Sequence, residues 1–244
     1  LNGSGWRRWA NHLLDIFFPG DYVCSGCGTT LSPVDDALCP RCIHEAEDVG
    51  LELCPLCGFH LPAVGEACPY CDGNPLRAPD RFYCAAFFTG RVQLMVHRLK
   101  YDGHRDAARG LGQLLAMKLE VSGDLPAGVE LVPVPLFPER EAERGYNQAL
   151  LVAQEVGARL DLVVQDNLIE RIVNTPHQVG SPAGERRRNM AGAFCATREV
   201  AGGCFLLIDD VATTGATLEA CVAALRHAGA EWVGVAVAGR TPRS

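Results

Sequence analysis

Along residues 81–244, short apolar runs alternate with stretches in which apolar side chains recur at every third or fourth position. The runs Phe82 to Phe88, Glu130 to Val134, Leu168 to Ile172, Cys204 to Ile208 and Trp232 to Ala238 have the length and character of strands. Between them, Val92, Met95, Val96 and Leu99 mark one face of a helix. Further helices are predicted over about Asp106 to Val121, Asn147 to Leu160 and Ala216 to Ala228. Strands and helices taking turns predict an α/β fold with a mainly parallel sheet covered on both faces. Ligands of such sheets sit at the carboxyl ends of the strands, which points to the loops after Val134 and Ile208.

The alternation fails toward the amino terminus. Trp6, Trp9, Ala10, Leu13, Leu14 and Phe17 share helical spacing, so residues 1–20 read as an amphipathic helix ending before Pro19-Gly20 and packing on the rest of the protein. Residues 21–80 show little periodicity and much Pro, Gly and Cys, the composition of a segment folded around metal instead of around a core. Residues 81–244 then form the α/β domain.

With 48% hydrophobic and 21% charged residues, the chain can bury a sizeable core. No apolar run approaches the roughly 20 residues that span a bilayer, so no membrane span is expected and a cytoplasmic location is predicted. Residues 1–80 hold 4 Lys/Arg against 11 Asp/Glu, whereas residues 81–244 hold 18 of each. Metal-bound thiolates would deepen that amino-terminal deficit, which argues against a phosphate-backbone clamp in the cysteine-rich part.

Eight of the twelve cysteines form Cys24/Cys27, Cys39/Cys42, Cys54/Cys57 and Cys68/Cys71, with gaps of 11, 11 and 10 residues between pairs. Two residues between cysteines let a tight turn present both sulfurs to one tetrahedral ion, and two such turns complete four ligands. Eight thiols therefore predict two zinc ions in closed, structural sites. Which pairs share an ion is open, consecutive pairing being the simpler arrangement. His44 and His60 lie near but have no vacancy to fill. Cys84, Cys195, Cys204 and Cys221 lie in apolar stretches and read as buried, inert thiols.

The segment Cys204 to Thr217 (CFLLIDDVATTGAT) runs from a buried strand into a loop that opens a helix. Small residues at a helix N-terminus let backbone N–H groups approach a phosphate, threonine hydroxyls add donors, and the adjacent carboxylates of Asp209 and Asp210 suit the vicinal hydroxyls of a ribose. A strand end with an Asp-rich turn and a threonine cap is the plainer alternative. The full run resembles the phosphoribosyl-pyrophosphate (PRPP) signature of type I phosphoribosyltransferases. Together with the cysteine pairs, Val132 to Pro135, Arg144 to Gln148, Asn189 to Phe194, Leu99 to Gly103 and Thr175 to Gln178, it is similar to the ComF (ComFC/GntX-like) family over nearly the whole chain.

The resemblance implies a type I phosphoribosyltransferase sheet after a double zinc ribbon. It implies that Asp209 and Asp210 bind the ribose hydroxyls, and that Ala212, Thr213, Thr214, Gly215, Ala216 and Thr217 wrap the 5-phosphate of PRPP or a related ligand. Magnesium would accompany PRPP. The loop at Val134 and Pro135 corresponds to the pyrophosphate side, where Arg140 and Arg144 are charge partners or, equally, surface residues balancing Glu139, Glu141 and Glu143. The position of Thr213 is an aspartate in purine-salvage members and Thr in orotate-type members. No segment stands out as a hood for a nucleobase, so the acceptor and turnover stay open. The family's association with natural transformation implies single-stranded DNA and competence proteins as partners; a metabolic phosphoribosyltransferase and a PRPP-sensing adaptor are the alternatives. Arg186 to Arg188 form the densest basic cluster, read as a solvated helix face, and Tyr101, Tyr146 and Phe194 read as core aromatics before stacking partners.

Overall fold

The computed structural model describes residues 23–32, 35–47, 53–58, 68, 79–173 and 192–242. The helix expected in residues 1–20, His60, Cys71, the Thr175 to Gln178 segment and the Arg186 to Arg188 cluster lie outside the described residues. In chain order the elements are α1 (Pro40–Glu47), β1 (Arg81–Phe87), α2 (Gly90–Tyr101), α3 (Ala107–Ser122), β2 (Glu130–Pro133) and α4 (Pro138–Arg144). There follow α5 (Gln148–Leu160), β3 (Ile169–Arg171), β4 (Phe194–Ala196), β5 (Cys204–Ala212), α6 (Ala216–His227) and β6 (Trp232–Arg240).

The strands β1-β6-β5-β2, in that order, form one parallel sheet. Leu131 of β2 bridges in parallel to Val164, which extends the sheet by a stub. Alternation along each strand divides the core into two layers. Leu206 and Ile208 of β5 and Ala236 and Ala238 of β6 pack with α2, α3 and α5. Phe205, Leu207, Val233, Val235 and Val237 pack with α6.

Three expectations change. The Leu168 to Ile172 run does not join the parallel sheet: β3 pairs antiparallel with β4, and this ribbon packs on α6. The sheet edge beside β2 is already taken, because Leu131 N–H donates to Val163 O and Gln165 N–H donates to Leu131 O, both at 2.8 Å. Second, β5 extends past Ile208 to Ala212 because β6 continues beside it, Val211 pairing with Gly239 and Ala212 with Arg240. Asp209 and Asp210, expected at the end of the strand, thus lie within it. Third, α1 and α4 appear where no periodicity showed. Each is too short to display a repeat, and α4 is defined by Pro138 in its first turn and Gly145 (φ 78°) after its last.

The cysteine-rich part is docked on the α/β domain by directional contacts. Gln113 Oε1, on α3, accepts from Ala37 N–H at 3.1 Å and Leu38 N–H at 2.9 Å. Ser25 Oγ donates to Asp106 O at 3.1 Å, Arg159 forks onto Asp36, and Arg91 meets Glu45 at 3.0 Å. The close approach needs Gly110: a Cβ there would lie 2.8 Å from Met95 Sδ, 2.9 Å from Ser25 Cβ and 3.0 Å from Leu38 Cδ2. Gly110→Val is expected to cost about 1–3 kcal/mol by overpacking. Thermal melting should show the loss, and limited proteolysis should show residues 23–47 cut sooner; unchanged melting and cutting would refute this account of the docking.

Candidate functional site

The carboxyl ends of β5 and β2 lie side by side. Pro133 pairs with Ile208, and Val134 N–H donates to Ile208 O at 2.9 Å. Strand alternation puts Asp210 on the face of Leu206 and Ile208, toward α2, and Asp209 on the face of Leu207, toward α6. Asp209 Oδ1 nonetheless turns back to accept the N–H of Asp210 at 2.9 Å. The two carboxylates are therefore adjacent in charge but address different sides of the strand.

Asp210 is 2% exposed, and its Oδ2 lies 2.6 Å from Lys100 Nζ at the end of α2. Among the described residues this ammonium is the partner of the buried Oδ2, which receives no other hydrogen bond. Burial pulls the Lys100 ammonium down, but the charges of Asp210 and Asp209 outweigh it and raise its pKa above the usual lysine value. Asp209 is driven well above the carboxylate range, first by burial and then by the neighbouring Asp210. The site therefore carries an electrostatic cost that a ligand with donors or cations would relieve.

The Arg144 to Gln148 segment sets the position of Lys100. Tyr146 is buried and its hydroxyl donates to Leu99 O at 2.5 Å, pinning the last turn of α2. Asn147 caps α5, its Oδ1 accepting from Ala149 N–H at 2.9 Å, while its Nδ2 donates to Val134 O at 3.0 Å. One residue thus joins the exit of β2 to the start of α5. Arg105 stacks over Tyr146, 4.6 Å from the ring centroid, and donates to Gly145 O at 3.0 Å.

The two candidate arginines of α4 part company. Arg144 is half-buried, donates to Gln148 Oε1, and its charge bears on Lys100. Arg140 is exposed and acts instead on Arg171 of β3, whose pKa is lowered first by burial and then by Arg140. Val134 is buried and Pro135 half-buried beside them. The Ala212 to Thr217 loop leaves β5 with Ala212 buried and Thr213 exposed. Thr214 Oγ1 accepts from Ala216 N–H at 3.4 Å, and Gly215 (φ 85°) precedes α6, whose first turn starts just beyond the acidic pair.

Lys100 is the residue that sequence reasoning missed as part of this site, naming it only within the Leu99 to Gly103 match. A lysine closing a helix carries no local signal, since its partner lies on a distant strand. Two other readings are corrected. Tyr101 is 71% exposed, whereas Tyr146 and Phe194 are buried as expected. Of the four remaining cysteines, Cys84 and Cys221 are buried, but Cys195 and Cys204 are half-exposed, lying on the short ribbon and at the first residue of β5.

At the amino-terminal side the thiols gather as consecutive pairs. The sulfurs of Cys24, Cys27, Cys39 and Cys42 lie within 4.8 Å of one another, as do those of Cys54, Cys57 and Cys68. Each group begins with the same turn: Gly28 N–H donates to Cys24 O at 2.7 Å and Gly58 N–H to Cys54 O at 2.9 Å, with positive φ at both glycines. Cys39 N–H and Leu56 N–H point at Cys24 Sγ and Cys54 Sγ. Burial and then the neighbouring sulfurs push the Cys42 thiol up, a crowding that a divalent cation would reverse. Both groups can hold a metal ion.

A parallel sheet with an acidic strand end opening onto a helix defines a phosphoribosyltransferase-type domain, and residues 147–244 match the model of the phosphoribosyl transferase domain. The chain is 32% identical over 205 residues to DNA utilization protein YhgH of Salmonella typhi, covering 82% of this chain and 87% of that protein. It is 28% identical over 224 residues to Competence protein F of Haemophilus influenzae, covering 88% and 95%. Competence protein ComFC of Bacillus subtilis is 28% identical over 75% of each chain. The chain belongs to the ComF family, with amino-terminal cysteine clusters that fit a zinc ribbon. No helix among the described residues is long and apolar enough to cross a membrane.

Because the folded pKa of Asp209 lies above its unfolded value of 3.8, the folded state holds a proton that the unfolded state has released. The stability contributed by this group is complete below that value and is lost as pH rises through the folded pKa. Asp209→Asn, which keeps the Oδ1 acceptor, should therefore melt above the wild-type temperature at pH 7.5 and lose that advantage near pH 4. A variant less stable than wild type at pH 7.5 would contradict this.

Proposed function

We propose that Asp209, Asp210 and the Ala212 to Thr217 loop hold PRPP or a related ribose 5-phosphate ligand, in a cytoplasmic protein that acts in DNA uptake and processing. The observation that carries the reading is the buried acidic pair at the end of β5: Lys100 is beside Asp210 Oδ2, which receives no other hydrogen bond among the described residues, and burial drives Asp209 up. A ribose hydroxyl is a donor of the right kind. The helix start at Ala216 and the hydroxyls of Thr213, Thr214 and Thr217 suit the 5-phosphate. Val134, Pro135, Arg144 and Lys100 line the pyrophosphate side, with Arg140 farther out toward β3. Magnesium accompanying such a ligand would neutralise its pyrophosphate.

Relatives named for competence and for DNA utilization support the DNA-handling part of the reading. The division into a double zinc ribbon at residues 21–80 and a ligand-binding domain at 81–244 goes with it, the ribbon serving as a scaffold.

Calorimetric titration with PRPP and magnesium is expected to show binding that Asp209→Asn combined with Asp210→Asn abolishes; unchanged affinity would sink the pocket assignment. Pyrophosphate release measured against a panel of bases and single-stranded DNA then separates the outcomes. Release with a small base identifies a metabolic transferase, and tight binding without release identifies a sensor.

The metal half has its own test. Freshly purified protein should contain two zinc ions per chain and Cys24→Ser one, with chelation exposing the Gly110 face of α3 to proteolysis. Substantially less than two zinc in the wild type would defeat it.

A further inference from the structure

Lys100 stands where charges of both signs meet. Its ammonium lies 2.6 Å from Asp210 Oδ2, the Asp209 carboxyl adds to the attraction, and the Arg144 guanidinium at the end of α4 opposes it. The backbone at Lys100 is fixed, because α2 buries Val92, Met95, Val96 and Leu99 in the core and Tyr146 holds Leu99 O. The side chain is less confined: it is 23% exposed, against 2% for Asp210, and residues 101–106 beyond it are all exposed. Residue type matters here. The only lysines in this arginine-rich chain are Lys100 and Lys118. An arginine would fork onto the carboxylate through two hydrogen bonds, whereas a lysine is a point charge on a flexible stem that can leave one oxygen for another.

Lys100 thus occupies the acceptor that the ribose reading gives to a hydroxyl. A hydroxyl satisfies the hydrogen bonding of Oδ2 but brings no charge, and the ammonium it displaces then needs a counter-charge of its own. What the ligand carries on the carbon beside its hydroxyls therefore decides whether it can enter. We propose that Lys100 is a charge gate that makes the pocket select a sugar phosphate bearing pyrophosphate at the anomeric carbon over ribose 5-phosphate. The ammonium stays on Asp210 until a ligand's pyrophosphate draws it off, and the ribose hydroxyls take the freed oxygen. The inference rests on the ribose-phosphate reading above and narrows it to a substrate class. Arg144 sharpens the choice, since an anion that reaches both cations removes their repulsion as well as giving Lys100 a partner. A ligand with a 5-phosphate alone offers neither, its charge being taken up at the start of α6.

Titration calorimetry of the zinc-loaded full chain with PRPP and with ribose 5-phosphate, both with magnesium, tests this. The wild type should prefer PRPP by at least about tenfold. Lys100→Gln, which leaves an amide donor beside Asp210 but no charge, should weaken PRPP about tenfold or more while ribose 5-phosphate stays within about threefold of wild type or tightens. Both ligands meet the same preparation, so a misfolded fraction lowers both stoichiometries and leaves the ratio of affinities intact. A second measurement needs no variant. Carbon-13 labelling of the lysine side chains gives one Cε signal each for Lys100 and for Lys118, which is exposed on α3; PRPP should shift the Lys100 signal and ribose 5-phosphate should leave it in place. Equal losses of both ligands in Lys100→Gln, unchanged PRPP affinity in that variant, a wild type that binds the two ligands alike, or a Lys100 signal moved equally by both would overturn the gate while PRPP still binds. A wild type that binds neither ligand would instead overturn the pocket reading, and the gate with it.

Discussion

Lys100 and Asp210 meet at the end of a central strand, where the carboxylate is buried and the ammonium largely so. Taking an unpaired carboxylate out of water costs several kcal/mol even after relaxation, and so does an ammonium; here each supplies the other's counter-charge at 2.6 Å. The pairing works only if the end of α2 stays fixed relative to the end of β5. Tyr146 fixes one side through Leu99 O, and Asn147 couples the same segment to the exit of β2. Ser25 holds the other side of the turn through Asp106 O. The cysteine-rich part, the turn after α2 and the Arg144 to Gln148 segment are thus different supports for one ion pair.

That support comes at a cost to stability. Asp209 is placed where burial and the neighbouring Asp210 oppose ionisation, and Lys100 offsets only part of the conflict. A protein selected for stability alone would have apolar or amide groups at the end of a central strand. The conflict is tolerable because four strands and two apolar layers hold β5 on both flanks. Local frustration on a rigid scaffold is what a binding site requires.

What could be read from the chain followed the range of the signal. The strands and long helices of the domain were legible because burial imposes periods of two and 3.6 residues over enough length to be counted. The cysteine pairs and the Asp209 to Thr217 run were legible because their chemistry is contiguous. Short α1 and α4 were not, being set by a proline or by docking and not by a repeat. The antiparallel β3–β4 ribbon was hidden for another reason: an apolar run shows that a strand is buried, not which edge is free to receive it. Lys100 escaped as a site residue because its meaning lies in a contact across the fold. Tyr101 was misjudged because an aromatic counts toward burial by composition, whereas its phase on α2 puts it outside.

The two cysteine turns show how one local solution serves two different seats. Their backbone hydrogen bonds and positive-φ glycines match, yet the first turn packs Gly26 against Cys42 and lies on Gly110 of α3, while the second brings Gly58 against the Phe82 ring of β1. Pro55 O accepts from Phe82 N–H at 2.6 Å, so the second turn also occupies a hydrogen-bonding position on the open edge of the sheet. Phe82 in turn lies under the guanidinium of Arg240, 5.6 Å from its ring centroid, at the end of β6. One cluster therefore braces the helical layer that carries Lys100, and the other covers the edge of the sheet that carries Asp210. Metal that orders both turns would fix the two halves of the ion pair from opposite sides without contributing a ligand to the site.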